Sequence, residues 1–279
     1  MHISETLEIN SIFWIRSIPD NEIGPTRRII EDLNDAHNNG GWPIRELVVG
    51  TSDELVEALN FLADEAEKGV KPIIHFDAHG SKDKGILLSP SGEHFSWDKL
   101  ANHLRIINCQ TMNNLICIFA TCYGYHINFQ VELKKPTPSY LIMAPTDEIS
   151  VGFLEEQTVR FYQLAHASGN VTEAFSLTLA SKMKLYHCQG IFFEALSNYI
   201  RYYCSGKSKS IRYEKLLSDF LIEHNIENPS PAVLKNTRNR IKSGLKPSQK
   251  IIEYYASKFL ICRRPAFDYD DLEKFTRRR

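Results

Sequence analysis

The chain has 279 residues, of which 43% are hydrophobic and 24% charged, as expected of a globular protein that can bury a full-sized core. No apolar run reaches the roughly 18 residues of a membrane span, and the N-terminal MHISETLEIN lacks the basic-then-apolar order of a secretory signal. We therefore expect a cytoplasmic protein without a membrane span. The sequence also lacks the glycine-rich GxxxxGK[ST] motif of a nucleotide-binding loop.

Charge is distributed unevenly along the chain, although the formal net charge is only −1. Residues 201–279 hold 18 of the 33 Lys and Arg but 9 of the 34 Asp and Glu. This stretch is therefore about nine charges positive and the remainder about ten charges negative. The asymmetry indicates a basic appendage that contacts the acidic body, an acidic partner or nucleic acid, or that forms a solvated basic surface.

Short apolar runs alternate with segments of helical period through most of residues 1–185. Strands are predicted at 11–15, 45–50, 70–76, 114–120 and 139–144, and helices at 27–38, 52–68, 97–107, 151–166 and 172–185. Ser52 and Ser96 are the predicted N-caps of two of these helices. The order predicts an α/β fold with a mostly parallel central sheet flanked by helices.

Beyond about residue 205 the pattern changes to short helices, predicted at 213–224, 231–236, 237–242 and 248–260. We predict two domains, residues 1–205 and a basic helical region at 206–279, with the boundary near Ser205. Residues 239–248 resemble the end of a repressor-type helix-turn-helix, in which Arg238, Arg240 and Lys242 would contact phosphates. A helical subdomain that packs on the acidic body or receives a partner fits the same pattern.

Two predicted strands end in reactive side chains followed by glycine. Residues 72–80 read PIIHFDAHG and place His79 before Gly80, and residues 115–124 read LICIFATCYG and place Cys122 just after a strand. Ligands and catalytic groups gather beyond the carboxyl ends of parallel strands. A helix-sized segment separates the two strands, as a parallel crossover requires.

A thiol and an imidazole at neighbouring strand ends form a minimal nucleophilic site. A cysteine attacks only as thiolate, so it needs a nearby histidine to accept its proton. The backbone N–H groups of Gly80 and Cys122 would then form an oxyanion hole. Each motif alone is also compatible with ordinary packing, since cysteines that end apolar strands are usually buried. The other five cysteines form no Cys-x-x-Cys pair and are expected to be reduced thiols.

The sequences HFDAHG (75–80) and FATCYG (119–124) resemble the histidine and cysteine motifs of the caspase-like cysteine peptidases of clan CD, particularly the CHAT branch. The likeness covers roughly residues 1–185. It implies a caspase-hemoglobinase fold, peptide-bond hydrolysis through a thioester, no metal and no cofactor. Carried over by position, His79 is the catalytic histidine and Cys122 the nucleophile. It also implies a specific protein substrate and an activating or regulatory protein partner, in a bacterial antiviral defence or cell-death pathway.

The chain departs from this pattern at residue 120. Many relatives that cut after Arg or Lys carry an acidic residue two places before the cysteine, whereas this chain has Ala120. Asp147 and Glu148, just beyond the strand at 139–144, are candidate substrate-pocket residues, and solvated loop carboxylates are the alternative. Asp77 lies on the same strand face as His79 and is a third candidate for the pocket, for orienting the histidine or for capping a turn.

A metal enzyme and two non-enzymatic functions are the alternatives. His75, Asp77 and His79 are candidate metal ligands, and Asp-Ala-His resembles a motif of arginase-like hydrolases, but Ser81 stands where that motif has a second aspartate. A catalytically inactive caspase-like scaffold would bind a partner through the basic region. A DNA-binding regulator would use the same basic helices and show salt-sensitive duplex binding.

Overall fold

The computed structural model describes residues 7–89, 91–204, 206–244 and 246–277. Its chain divides into two compact units. The first comprises Met1–Cys188 with Lys258–Arg263, and the second comprises Gln189–Ser257 with Arg264–Arg279. The domain boundary near residue 205 stays a prediction, and Ser205 itself lies outside the described residues. None of the described helices is both long and apolar enough to cross a membrane.

The first unit is built on a mostly parallel sheet, as predicted. Its strands follow the order β2-β1-β3-β6-β7-β8, with β8 antiparallel to β7 and a β4–β5 hairpin paired to β3. The strands are β1 (Ser11–Ser17), β2 (Ile44–Val48), β3 (Pro72–Ser81), β4 (Gly85–Leu88), β5 (Glu93–Phe95), β6 (Ile116–Ala120), β7 (Leu141–Ala144) and β8 (Lys184–His187). All residues of β6 and β7 are buried, because both lie inside the sheet with both faces covered.

Helices cover both faces of this sheet. They are α1 (Gly24–Asn38), α2 (Ser52–Glu67), α3 (Trp97–Gln110), α4 (Val151–Ser168) and α5 (Val171–Leu177), with 3₁₀ helices at Asp20–Glu22, Gly124–Gln130 and Leu179–Ser181. The α1 and α4 helices pack together on one face, and α2 and α3 pack together on the other. The predicted Ser96 cap is confirmed, since its side chain accepts from Lys99 N–H. The cap of α2 is Thr51 rather than Ser52.

The strand that carries the histidine is longer than the sequence indicates. The parallel pairing of β3 ends at Ala78 on the β1 side and at Asp77 on the β6 side. Beyond that point β3 continues to Ser81 and pairs antiparallel with β4, where His79 is opposite Leu87. The glycine- and serine-rich stretch after residue 80 thus forms a β-hairpin, β4 and β5, where no strand is predicted.

The predicted helix at 172–185 is wrong beyond residue 177. Helix α5 ends at Leu177, a 3₁₀ turn follows, and residues 184–187 form β8 at the edge of the sheet. The buried Tyr186 pairs with Ile142 of β7, so sheet pairing replaces the helical alternative for this apolar run. The predicted break between the helices at 151–166 and 172–185 is confirmed, because α4 ends at Ser168 and Gly169 adopts the left-handed conformation.

The second unit is helical and consists of most of α6 (Cys188–Tyr203), α7 (Gly206–Glu223), α8 (Pro231–Gly244), most of α9 (Gln249–Phe259) and α10 (Tyr269–Arg277). The helices predicted at 231–236 and 237–242 are one continuous helix. Arg238 of α8 forms an ion pair with Glu214 of α7 at 3.0 Å. Phe193 packs edge-on against Phe267 and Phe275. Arg240 and Lys242 are exposed on α8.

Candidate active site

His79 lies where β3 leaves the parallel sheet. Residues 72–76 of the strand are buried, whereas the His79 side chain is 47% exposed. Its Nε2 lies 2.9 Å from Oε2 of Glu22, in the 3₁₀ helix that follows β1. The sequence analysis missed Glu22. Strand β1 ends at the same edge of the sheet as His79, and residues that follow the carboxyl end of a parallel strand are expected at a functional site.

Cys122 lies in a turn between β6 and the 3₁₀ helix at 124–130. The turn is fixed by hydrogen bonds from Tyr123 N–H to Asp147 O and from Gly124 N–H to Thr121 O, both 3.0 Å. Tyr123 has a positive φ of 60°, which is uncommon for a residue with a side chain. The thiol is half-buried. The backbone N–H of Cys122 makes no hydrogen bond with another described residue.

Gly80 brings the two motifs into direct contact. A Cβ atom at this position would lie 2.1 Å from the carbonyl oxygen of Cys122 and 2.5 Å from Cγ2 of Thr121. Only glycine allows this approach of the backbones. The glycine after His79 is therefore required for packing against the cysteine turn, in addition to any part its N–H takes in an oxyanion hole.

One cavity of about 540 Å³ contains both reactive side chains. It lies at the carboxyl ends of β1, β3 and β6, on the face covered by α1 and α4. His79, Cys122 and Glu22 line it, together with Asp77 and Ala120. Most of its other lining side chains are apolar: Trp14, Ile18, Pro25, Ile29, Ala78, Ile149, Val151 and Leu154.

Asp77 is held by two donors that the sequence did not indicate. Its Oδ2 accepts hydrogen bonds from Thr26 Oγ1 at 2.5 Å and from Trp14 Nε1 at 3.3 Å. Burial raises the pKa of the Asp77 carboxyl, while these two hydrogen bonds act in the opposite direction. The hydrogen-bond partners of Asp77 are therefore on β1 and α1, whereas the carboxylate that contacts His79 is that of Glu22.

His75 lies deeper on the same strand face. Its ring stacks on Trp14 with centroids 3.6 Å apart, and its Nδ1 lies 3.0 Å from the hydroxyl of Tyr162. Complete burial lowers the pKa of His75 to about 3, so the imidazole is neutral. The three residues considered as metal ligands thus have separate partners. No group of three or more His, Cys, Asp or Glu side chains suited to a metal ion occurs in the described part of the chain.

Asp147 and Glu148 are exposed and do not line the cavity. The Asp147 carboxylate accepts from Thr146 Oγ1 at 2.9 Å, and its main-chain carbonyl holds the cysteine turn. Glu148 lies near the Tyr123 hydroxyl, whose pKa is raised chiefly by desolvation and further by Glu148 and Asp147. The structure therefore brings His79, Cys122 and Asp77 together, and it places Asp147 and Glu148 outside their cavity.

In comparisons with known proteins, no family model and no curated relative matches the chain.

Proposed function

We propose that the protein is a cysteine endopeptidase in which Cys122 is the nucleophile and His79 the proton donor and acceptor. The observation that supports this best is that both side chains line one cavity at the carboxyl ends of neighbouring parallel strands. The half-buried thiol and the half-exposed imidazole that share this cavity are the nucleophile and base types that thiol catalysis uses.

In the proposed reaction His79 accepts the thiol proton of Cys122. The thiolate attacks the carbonyl carbon of the substrate peptide bond, and the C–N bond breaks as the imidazolium of His79 gives its proton to the leaving amine. A thioester remains on Cys122. Water then hydrolyses the thioester, which releases the new carboxyl group and restores the thiol.

The surrounding groups support this chemistry. The backbone N–H of Cys122 has no partner among the described residues and is free to donate to the oxyanion of the tetrahedral intermediate. Glu22 Oε2 lies 2.9 Å from Nε2 of His79 and holds the orientation of the imidazole ring. The Cys122 turn is fixed at Tyr123 and Gly124, which limits movement of the nucleophile.

The same proposal includes a caspase-like identity, a specific protein target and an activating partner. They rest on the two sequence motifs and on a parallel sheet that presents both motifs at one edge. A bacterial defence or cell-death role follows only from that likeness.

The proposal is tested by comparing the new protein N-termini formed in cells that express the wild type, Cys122→Ala or His79→Ala. We expect a small set of cleavage products in the wild type that both variants abolish, because either change removes a reacting group. Cys109→Ala is the matched control, since Cys109 is also half-buried but does not line the cavity. Products that persist in Cys122→Ala would exclude the assigned nucleophile, and their loss in Cys109→Ala would point to a structural effect.

A further inference from the structure

We infer that the cavity beside Cys122 binds a lysine or arginine side chain of the substrate and that Asp77 is the carboxylate that selects it. This inference rests on the proposed peptidase function and names the substrate class of the same site. It assigns to Asp77 the specificity that the resemblance to caspase-like peptidases leaves open at Ala120, Asp147 and Glu148.

The register of the sheet places Asp77 beside Ala120, the position at which many caspase-like relatives carry an acidic residue. Asp77 of β3 is the direct partner of Ala120 on β6, and both residues line the cavity. Partners in parallel strands point to the same face, and the small Ala120 side chain leaves space for the Asp77 carboxyl. The Asp77 carboxyl therefore occupies the level of the cavity that an acidic side chain at position 120 would reach, although it belongs to the neighbouring strand.

The hydrogen bonds of Asp77 leave one oxygen available to a ligand. Trp14 and Thr26 both donate to Oδ2, whereas Oδ1 has no hydrogen-bond partner among the described residues. Arg16, its register partner on β1, forms an ion pair with Glu46 at 2.5 Å. None of the lining residues described is a lysine or arginine. The basic groups that act on the Asp77 carboxyl are Arg16, which is paired with Glu46, and His79, which is paired with Glu22.

His75 supplies a second polar atom in the same cavity. It is 1% exposed, lines the cavity, and its Nε2 has no hydrogen-bond partner among the described residues. If Nδ1 donates to the Tyr162 hydroxyl, Nε2 is an acceptor. An ammonium or guanidinium group carries several donors and no acceptor, so Oδ1 of Asp77 and Nε2 of His75 match its chemistry. The apolar walls at Ile29 and Leu154 suit the methylene stem of such a side chain.

The test uses two peptidyl acyloxymethyl ketones that differ only in lysine or norleucine next to the reactive group. The Cys122 thiolate displaces the carboxylate of the probe and forms a C–S bond, so labelling is measured by mass spectrometry without a known target. We expect the wild type to react with the lysine probe about 30-fold faster or more, since unpairing a buried charge typically costs at least that much. Asp77→Asn should remove most of this preference by slowing the lysine probe, because the amide oxygen of the new side chain can still accept from Trp14 and Thr26.

The double change Asp147→Asn with Glu148→Gln is the matched control and should keep the preference. Equal rates for the two probes in the wild type would overturn the inference, and this comparison holds even if Asp77→Asn does not fold. A preference that survives Asp77→Asn but is lost in the Asp147/Glu148 variant would overturn it as well. If neither probe labels the wild type above Cys122→Ala, the peptidase proposal itself fails, and the assignment of the cavity fails with it.

Discussion

At the scale of single residues, Gly80 shows how the fold restricts side-chain choice. It follows His79 in the strand and lies against the carbonyl of Cys122, so its missing Cβ is what lets the two motifs meet. The sequence singles out this glycine as the neighbour of a histidine and as a donor of an oxyanion hole, but it does not indicate this contact.

Gly80→Ala should lower the free energy of unfolding by about 1–3 kcal/mol, because the added methyl group overlaps Cys122 and the backbone must shift. The same shift should reduce substrate cleavage by about 100-fold, the typical effect of a 1 Å misplacement. Urea unfolding and cleavage rates measure the two effects.

Gly152→Ala serves as the control for this substitution. A Cβ at Gly152 meets no atom within 4 Å, and alanine is preferred in a helix. It should stabilise the protein by as much as about 1 kcal/mol and leave cleavage unchanged. Equal stability of Gly80→Ala and the wild type would show that the contact with the cysteine turn is not close.

The cysteines show that residue type alone does not decide which thiol is reactive. Cys117 lies on β6, the strand that leads to Cys122, but burial raises the pKa of the Cys117 thiol to about 12 and makes it a poor nucleophile. Cys122, five residues later, lies in the turn and lines the cavity. The sequence identified Cys122 only through its strand-end position and its motif.

At the scale of elements, one face of β3 carries both a buried side chain of the core and the candidate catalytic histidine. His75 is buried, Asp77 is half-buried and His79 is exposed, so the alternation of the strand places three polar side chains at increasing exposure along the cavity.

His75 should make the fold sensitive to mild acid. Burial lowers its pKa from 6.5 to about 3, so between these values the unfolded chain binds a proton that the folded protein does not. Its contribution to stability is fully present above pH 6.5 and declines as the pH falls toward 3. The slope should approach about 1.4 kcal/mol per pH unit.

The double variant His75→Phe with Tyr162→Phe removes both members of the buried hydrogen bond and should flatten this part of the pH profile. Urea unfolding from about pH 7 to about pH 4 measures the difference from the wild type. The contribution of His187, whose pKa burial lowers to about 4, and the opposing contribution of Asp77 are common to both proteins and cancel. Identical slopes would contradict a neutral, buried His75.

At the scale of the whole molecule, the first unit is completed by a late segment of the chain. Residues 258–263 pack with it, although the residues on either side belong to the second unit. Phe259 and Leu260 are fully buried, and their carbonyls accept from Thr137 N–H and Asn113 Nδ2. A domain boundary read along the sequence cannot represent such a return.

Arg263→Ala should lower the free energy of unfolding of the first unit by about 2 kcal/mol. The guanidinium donates to Asn113 O at 2.7 Å and to Asn114 Oδ1 at 2.9 Å, and it lies over the Tyr140 ring. The control is Arg264→Ala. Arg264 is exposed, so this substitution should change the free energy of unfolding by less than about 0.5 kcal/mol. Hydrogen exchange in β6 and β7 locates the effect, and unchanged protection there would show that the segment is not needed.

The sequence by itself determined the fold class, the order of the main strands and helices up to α4, and the placement of His79 and Cys122 at neighbouring strand ends. These features depend on local periodicity and on the rule for strand ends in parallel sheets. Tertiary structure alone decided the β8 edge strand, the return of residues 258–263, and the partners Glu22, Trp14 and Thr26. Those depend on contacts between residues far apart in the chain, which local patterns do not record.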